Sequence, residues 1–156
     1  MLLKLLPFAA ALVLASGASA QSRDVVDVIQ IQSSGTMAQT VERLEHAIDE
    51  RHLSIVAVIH HADAARKAGL ALRPTTLVIF GNPMLGTRIM QMSQVAGLSL
   101  PIKMLVWQDA SKRVWVGYTA SEAFARRYAL APDSLPIRAM GGALGAIAAE
   151  AAGNRP

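Results

Sequence analysis

The chain has no cysteine at any of its 156 positions. That removes a disulfide framework, thiolate metal sites, cysteine nucleophiles and the attachment point for covalently bound haem. Aromatic residues are also scarce, with two tryptophans, two tyrosines and three phenylalanines. A single-strand nucleic-acid surface needs aromatics interleaved with a clustered basic stripe. The net charge is +4, but Arg66, Lys67, Arg73, Arg88, Lys103, Lys112, Arg113, Arg126, Arg127 and Arg138 are scattered, so no nucleic-acid partner is expected. Several catalytic signatures are missing too. There is no G-x-S-x-G elbow and no H-E-x-x-H helix, and no Lys-Ser/Thr pair follows Gly81 and Gly86 as a phosphate loop would require.

The N-terminus carries an address. Lys4 precedes an apolar run from Leu5 to Leu14, and Ala18-Ser19-Ala20 has the small residues of a cleavage site. A membrane span needs about 20 apolar residues, so the run is too short to span comfortably. The expectation is a signal peptide over 1–20, a single domain over 21–156, and a periplasmic or secreted protein with no stable membrane insertion after cleavage. Without disulfides such a domain depends on apolar burial, and 53% hydrophobic residues supply the material.

Periodicity then marks the elements. Asp24–Ile31 alternates polar and β-branched residues as a half-buried strand does. Thr36 and Gln39 form a capping box, and Met37, Val41, Leu44 and Ile48 recur at helical spacing behind it. Leu53–Ile59 is apolar on both faces, which predicts a central strand. Ala62–Ala68 reads as a short helix ended by Gly69, and Thr75–Phe80 as another strand. Gly81-Asn82-Pro83 is a turn, followed by a short helical, methionine-rich stretch to Val95. Lys103–Gln108 and Arg113–Thr119 flank a turn at 109–112 and predict a hairpin. Glu122–Tyr128 is helical, and a last helix runs from Asp133 or Ser134 to about Ala152 with Pro136 in its first turn. The order β-α-β-β-β-β-α, with short helices around the third strand, predicts an α+β two-layer sandwich. Its sheet should be antiparallel or mixed, with the first and last helices on one face.

Three blocks carry a resemblance: His61–Leu70, Arg73–Pro83 with Gly86-Thr87, and Gly97–Trp107. Together with the strand-helix opening and the hairpin they resemble the family catalogued as domain of unknown function 302, over roughly Val25 to Tyr128. The resemblance implies a curved, mainly antiparallel sheet crossed by a long C-terminal helix, of the TATA-binding-protein-like type. It also implies a homodimer as a candidate assembly, and it supplies no activity. Where that family shows an acidic residue just before the histidine, this chain has His60, which removes the acid from any Asp-His proton relay.

The remaining chemistry is sparse. His61 ends a strand, and histidine is the residue type suited to proton exchange, so it is either a ligand contact or a structural histidine bonded to the neighbouring helix or loop. His60 and His61 would point to opposite faces if both lay in the strand. Glu42 and His46 share a helix face but lack an evident third ligand, so no metal and no cofactor is expected. Met84, Met90, Met92 and Met104 read as core filler, and Gly141, Gly142 and Gly145 as a face for close packing.

The leading expectation is a non-enzymatic small-ligand-binding or interaction module. Its pocket would lie between the curved sheet and the last helix and hold a small, partly apolar ligand. His61, Asn82, Thr87, Lys103 and Trp107 would stand near the mouth. One alternative is a hydrolase- or lyase-like enzyme with His61 as general base beside Asn82 or Lys103; no other catalytic residue is assigned. The other is a structural homodimer joined through strands and the glycine-faced helix.

Overall fold

The computed structural model describes residues 27–154. The expected signal peptide, its cleavage site and the first residues of the opening strand lie outside the described residues. Ten helices and strands follow in the order β1 (Val28–Gln32), α1 (Met37–Asp49), β2 (Ser54–His60), α2 (His61–Lys67), β3 (Thr75–Gly81), α3 (Pro83–Met92), β4 (Ile102–Gln108), β5 (Val114–Thr119), α4 (Ser121–Arg127) and α5 (Leu135–Ala151), with a 3-10 helix, Gln94–Ser99, between α3 and β4.

Local chemistry starts and stops these elements where the residue pattern says it should. Thr36 accepts from the Gln39 backbone N–H at 3.3 Å, and the Gln39 side chain accepts from the Thr36 N–H at 3.0 Å. This satisfies two of the amide donors left open at the start of α1. The Thr40 hydroxyl, 2.7 Å from both Ser33 Oγ and the Thr36 carbonyl, ties the same turn to the end of β1. Gly69 sits at φ +73° just past α2, the left-handed position that glycine adopts without a Cβ penalty.

All four strand pairings are antiparallel, and the sheet order is β1-β5-β4-β3-β2. The architecture is the expected two-layer α+β sandwich: a curved five-stranded sheet with α1 and the long α5 packed side by side on one face. Period-two alternation sends Val78 and Phe80 of β3, Met104 and Val106 of β4, and Val114, Val116 and Tyr118 of β5 into the helical layer. There they meet Leu44, Ala47 and Ile48 of α1 and Ile137, Met140, Leu144 and Ile147 of α5. The opposite face carries Leu77, Leu105, Trp107 and Trp115 half-buried among themselves, with the two indoles stacked at 6.4 Å between centroids.

Two expectations are corrected. The strand expected in the centre, β2, is an edge strand, because among the described residues only β3 hydrogen-bonds to it. Its register slips between Ile55 and Ala57, and Val56 is left 63% exposed. No residue of β2 is buried, and Ile55 and Ile59 are exposed as well, so its unbroken apolar run marks neither cover on both faces nor a neighbour along each edge. The methionines divide as well. Met104 is fully buried in the core, whereas Met84 and Met92 are exposed on α3. The short helix they ride on packs only one side against the body of the fold.

The glycines of α5 serve contacts within the chain. A Cβ on Gly141 would collide with Ser121 of α4, and one on Gly145 would touch the Tyr118 hydroxyl at 3.7 Å, while Gly142 faces open space. Burial raises the Tyr118 phenol above its usual pKa, aided by the nearby Glu122 carboxylate, so it stays a neutral hydroxyl.

Candidate functional site

At the end of the sheet where β3 finishes and β4 begins, α3 and the 3-10 helix fold over the rim and leave a space beneath them. Asn82 opens this lobe. Its side chain accepts from the Met84 backbone N–H at 2.8 Å, and Pro83 takes the first helical position, where its missing N–H is harmless. The space is a partly open cavity of about 300 Å³, with Phe80 and Ile102 from the sheet, Leu85, Ile89 and Met90 from α3, and Met140, Ala143, Leu144 and Ile147 from α5. Leu53, Val56, Leu100 and Pro101 complete the wall.

The lining is apolar except for Ser54, Asn82 and Thr87, and it contains no histidine, carboxylate, lysine or arginine. It therefore holds nothing that could abstract a proton or stabilise an oxyanion by charge. What it can do is exclude water from an apolar molecule and orient one end of it by two or three hydrogen bonds. Gly97 stands where a Cβ would press to 3.2 Å from Met90 Sδ, so a larger residue there would push the thioether into the space.

The five residues singled out from sequence do not converge. Asn82 and Thr87 line the cavity. Lys103 lines a second depression next to it, and its ammonium donates to the carbonyls of Ser99 at 3.3 Å and Pro101 at 2.9 Å. His61 and Trp107 lie at the other end of the sheet. His61 is the first residue of α2, following the register pair His60–Thr76, and Trp107 pairs with Thr75 on the helix-free face. Ser54 pairs with Gly81 at the cavity end, so nearly the whole seven-residue length of β2, about 20 Å, lies between His61 and the cavity. A cleft shared by His61 and Lys103 is therefore absent among the described residues. His60, at the N-cap of α2, makes no side-chain capping bond; its Nδ1 lies 3.3 Å from Thr76 Oγ1.

His46 does meet carboxylates, though not through Glu42 as the helix spacing suggested. Ligand atoms of His46, Glu50 and Glu150 all lie within 4.8 Å of one another, with Glu150 supplied by α5. Glu150 is already paired with Arg51 at 3.1 Å, and Arg51 also donates to the Ala47 carbonyl at 2.7 Å. An arginine on one of three ligands repels a cation, so the cluster reads as an ion-pair network joining α1 to α5. No spacing rule could have found Glu150, about a hundred residues away.

The most polarised carboxylate serves the hairpin. Asp109 accepts from the backbone N–H of Ser111 and Arg113, from Arg113 Nε at 2.8 Å and from Trp115 Nε1 at 3.0 Å. Partial desolvation pushes its pKa up, but the bonds from Trp115, Arg113 and Ser111 outweigh that and hold it at about 2 instead of 3.8. Because the folded value is depressed, this carboxylate's support for the turn is complete above the unfolded pKa of 3.8 and is lost as pH falls through about 2. A carbon-13 titration of the Asp109 carboxyl should give a midpoint near 2; one near 3.8 would mean the four bonds are not held in solution.

Comparison with known proteins bears on this fold directly. The family model described as "Domain of unknown function DUF302" matches residues 29–147. The chain is 35% identical over 128 residues to a protein named fluoride-specific ion channel FluC 1 from Brucella suis biovar 1, covering 81% of this chain and 50% of that protein. A protein named fluoride-specific ion channel FluC 2 from Brucella melitensis biotype 1 is also 35% identical, with 47% of its length covered. The chain thus spans about half the length of the curated relatives it matches. Among solved structures, an uncharacterised conserved DUF302 protein from Bacillus stearothermophilus superposes with a TM-score of 0.73 at 18% identity, covering 80% of this chain and 97% of that one. No helix among the described residues is long and apolar enough to cross a membrane.

Proposed function

The chain belongs to the family of domain of unknown function DUF302, and we propose that on this fold it is a non-enzymatic binder of a small, largely apolar molecule held between the sheet and α5. The observation that carries the reading is the apolar cavity of about 300 Å³ with three polar residues in its wall. Small-molecule sites span roughly 300–1,000 Å³ and share that composition, so a compact ligand suits this one. The absence of any titratable group from the lining favours binding over catalysis. The leader-like residues 1–20 support placing this binder outside the cytoplasm. The channel named in the Brucella relatives belongs to proteins about twice the matched length, and the proposal for this chain rests on the cavity instead.

The test uses the neutral apolar dye N-phenyl-1-naphthylamine. Titration should give a saturable fluorescence increase at one site per chain. Ala143 lines the cavity on α5 and is only half-buried, so Ala143→Phe puts a ring into open volume. This variant should bind the dye at least about tenfold more weakly, as expected when roughly 1.4 kcal/mol of contact is displaced, while its circular dichroism and melting temperature hold. Equal dye affinity in the folded variant would sink the cavity as the binding site.

A further inference from the structure

The cavity does not end at its apolar wall. A second depression, of about 290 Å³, adjoins it and shares Ile102, Met140 and Leu144 with it as a common boundary. Its own lining includes Ser99, Lys103, Thr119 and Arg127. Two cations thus stand across a shared wall from an apolar chamber whose lining contains no charge.

Among the described residues these cations have no carboxylate partner, a condition they share with Arg43, Lys67, Arg73, Arg88, Lys112 and Arg138. Arg51, Arg66, Arg113 and Arg126 are each paired with a carboxylate, and Arg126 reaches Asp27 at 2.9 Å. Among the described residues neither Lys103 nor Arg127 is in an ion pair, and neither depression has a carboxylate in its wall. The Lys103 ammonium is held by the carbonyls of Ser99 and Pro101, the same loop that closes the apolar chamber through Leu100 and Pro101. Two hydrogen bonds leave one N–H of an ammonium free to donate. Two cations with unspent donors next to an apolar space are complementary to an amphiphile with an anionic head.

We propose that the ligand is an acyl-chain amphiphile with an anionic carboxylate head, its chain in the cavity under α3 and its head between Lys103 and Arg127. This rests on the cavity being the binding site, and it adds the chemical class of the occupant. The apolar chamber selects for chain; the two cations select against a neutral or cationic head. Ile102, Met140 and Leu144 form the boundary between chamber and cations, and the bound amphiphile passes between these side chains.

The experiment is displacement of N-phenyl-1-naphthylamine from the full chain by decanoate, decan-1-ol and decylammonium, with octanoate to measure the contribution of the chain. Decanoate should compete about five- to tenfold better than decan-1-ol, the order expected for partly exposed charge-assisted bonds, and decylammonium should be the weakest. Octanoate should be about fourfold weaker than decanoate for each methylene removed. In Arg127→Gln, whose side chain lines only the second depression, the dye should bind as before while the advantage of decanoate over decan-1-ol falls at least about threefold. If decanoate and decan-1-ol compete equally, or Arg127→Gln keeps the full preference, the head-group assignment is wrong and the cavity stands. If the dye fails to bind the unsubstituted chain, the cavity reading falls and this inference falls with it.

Discussion

Phe80→Ala is expected to cost about 3–5 kcal/mol of stability, the range for removing a fully buried aromatic side chain and leaving the space behind. Phe80 is completely buried on the helical face of β3, pairs in register with Ile102, and forms part of the cavity wall. It therefore serves two ends at once. Its ring joins the main core between sheet and α5, and its edge bounds the chamber beneath α3. Truncation removes transfer energy and also enlarges a void that already exists, so the structure has little to collapse onto. Denaturant unfolding with an unchanged slope would measure the loss. A cost below about 1 kcal/mol would show that the ring contributes little packing, and that the chamber is looser than its walls imply.

The second large effect comes from the opposite face of the sheet. A Cβ added at Gly117 would lie 2.8 and 3.0 Å from ring atoms of Trp107 and 3.4 Å from the Ile29 carbonyl oxygen. The indole of Trp107 covers Gly117 and stacks on Trp115, so it cannot retreat without giving up that stack. Gly117→Ala is expected to destabilise by about 1–3 kcal/mol, as overpacking does, and to change the near-ultraviolet circular dichroism of the paired indoles. In a Trp107→Ala background most of that penalty should vanish, giving a coupling energy above about 1 kcal/mol. Equal costs in both backgrounds would shift the cause from the ring to the β1 carbonyl.

These two predictions treat the two faces of one sheet, and the faces were unequally legible. Residue alternation separates Phe80, Val78, Met104 and Val106 from Leu77, Leu105 and Trp107 without any structure. It cannot say which set meets helices, because both sets are apolar. The same ambiguity placed β2 in the middle of the sheet, when its exposed Val56 and slipped register belong to an edge. As an amphipathic residue, Trp107 is expected near the pocket mouth with Asn82 and Lys103. It lies on the helix-free face, with Thr75 as its register neighbour, at the end of the sheet away from the cavity.

The candidate site was half legible for a similar reason. Asn82 was visible as a turn residue, and it is the cap that launches α3 over the chamber. Thr87 and Lys103 followed from nearby blocks of the chain. Met140, Ala143, Leu144 and Ile147 carried no signal beyond helical periodicity, since a residue facing a cavity and one facing a core are equally apolar. Arg127 stood out no more than Arg126 beside it; the difference is that Asp27 pairs with one and not the other. His61 drew notice as a titratable group at a strand end, and the antiparallel path of β2 carries it about 20 Å from the chamber.

Helix and strand identity, the capping box at Thr36 and Gln39, the stop at Gly69, the hairpin around Asp109 and the family were all written in local order, because each depends on residues within a few positions or on a contiguous block. Strand order, the edge position of β2, the chamber beneath α3, the shared ion network of Arg51 and Glu150 and the isolation of Lys103 and Arg127 from carboxylates arise only on folding. Each joins residues up to about a hundred positions apart, and backbone periodicity determines which side a residue faces without determining what it meets there.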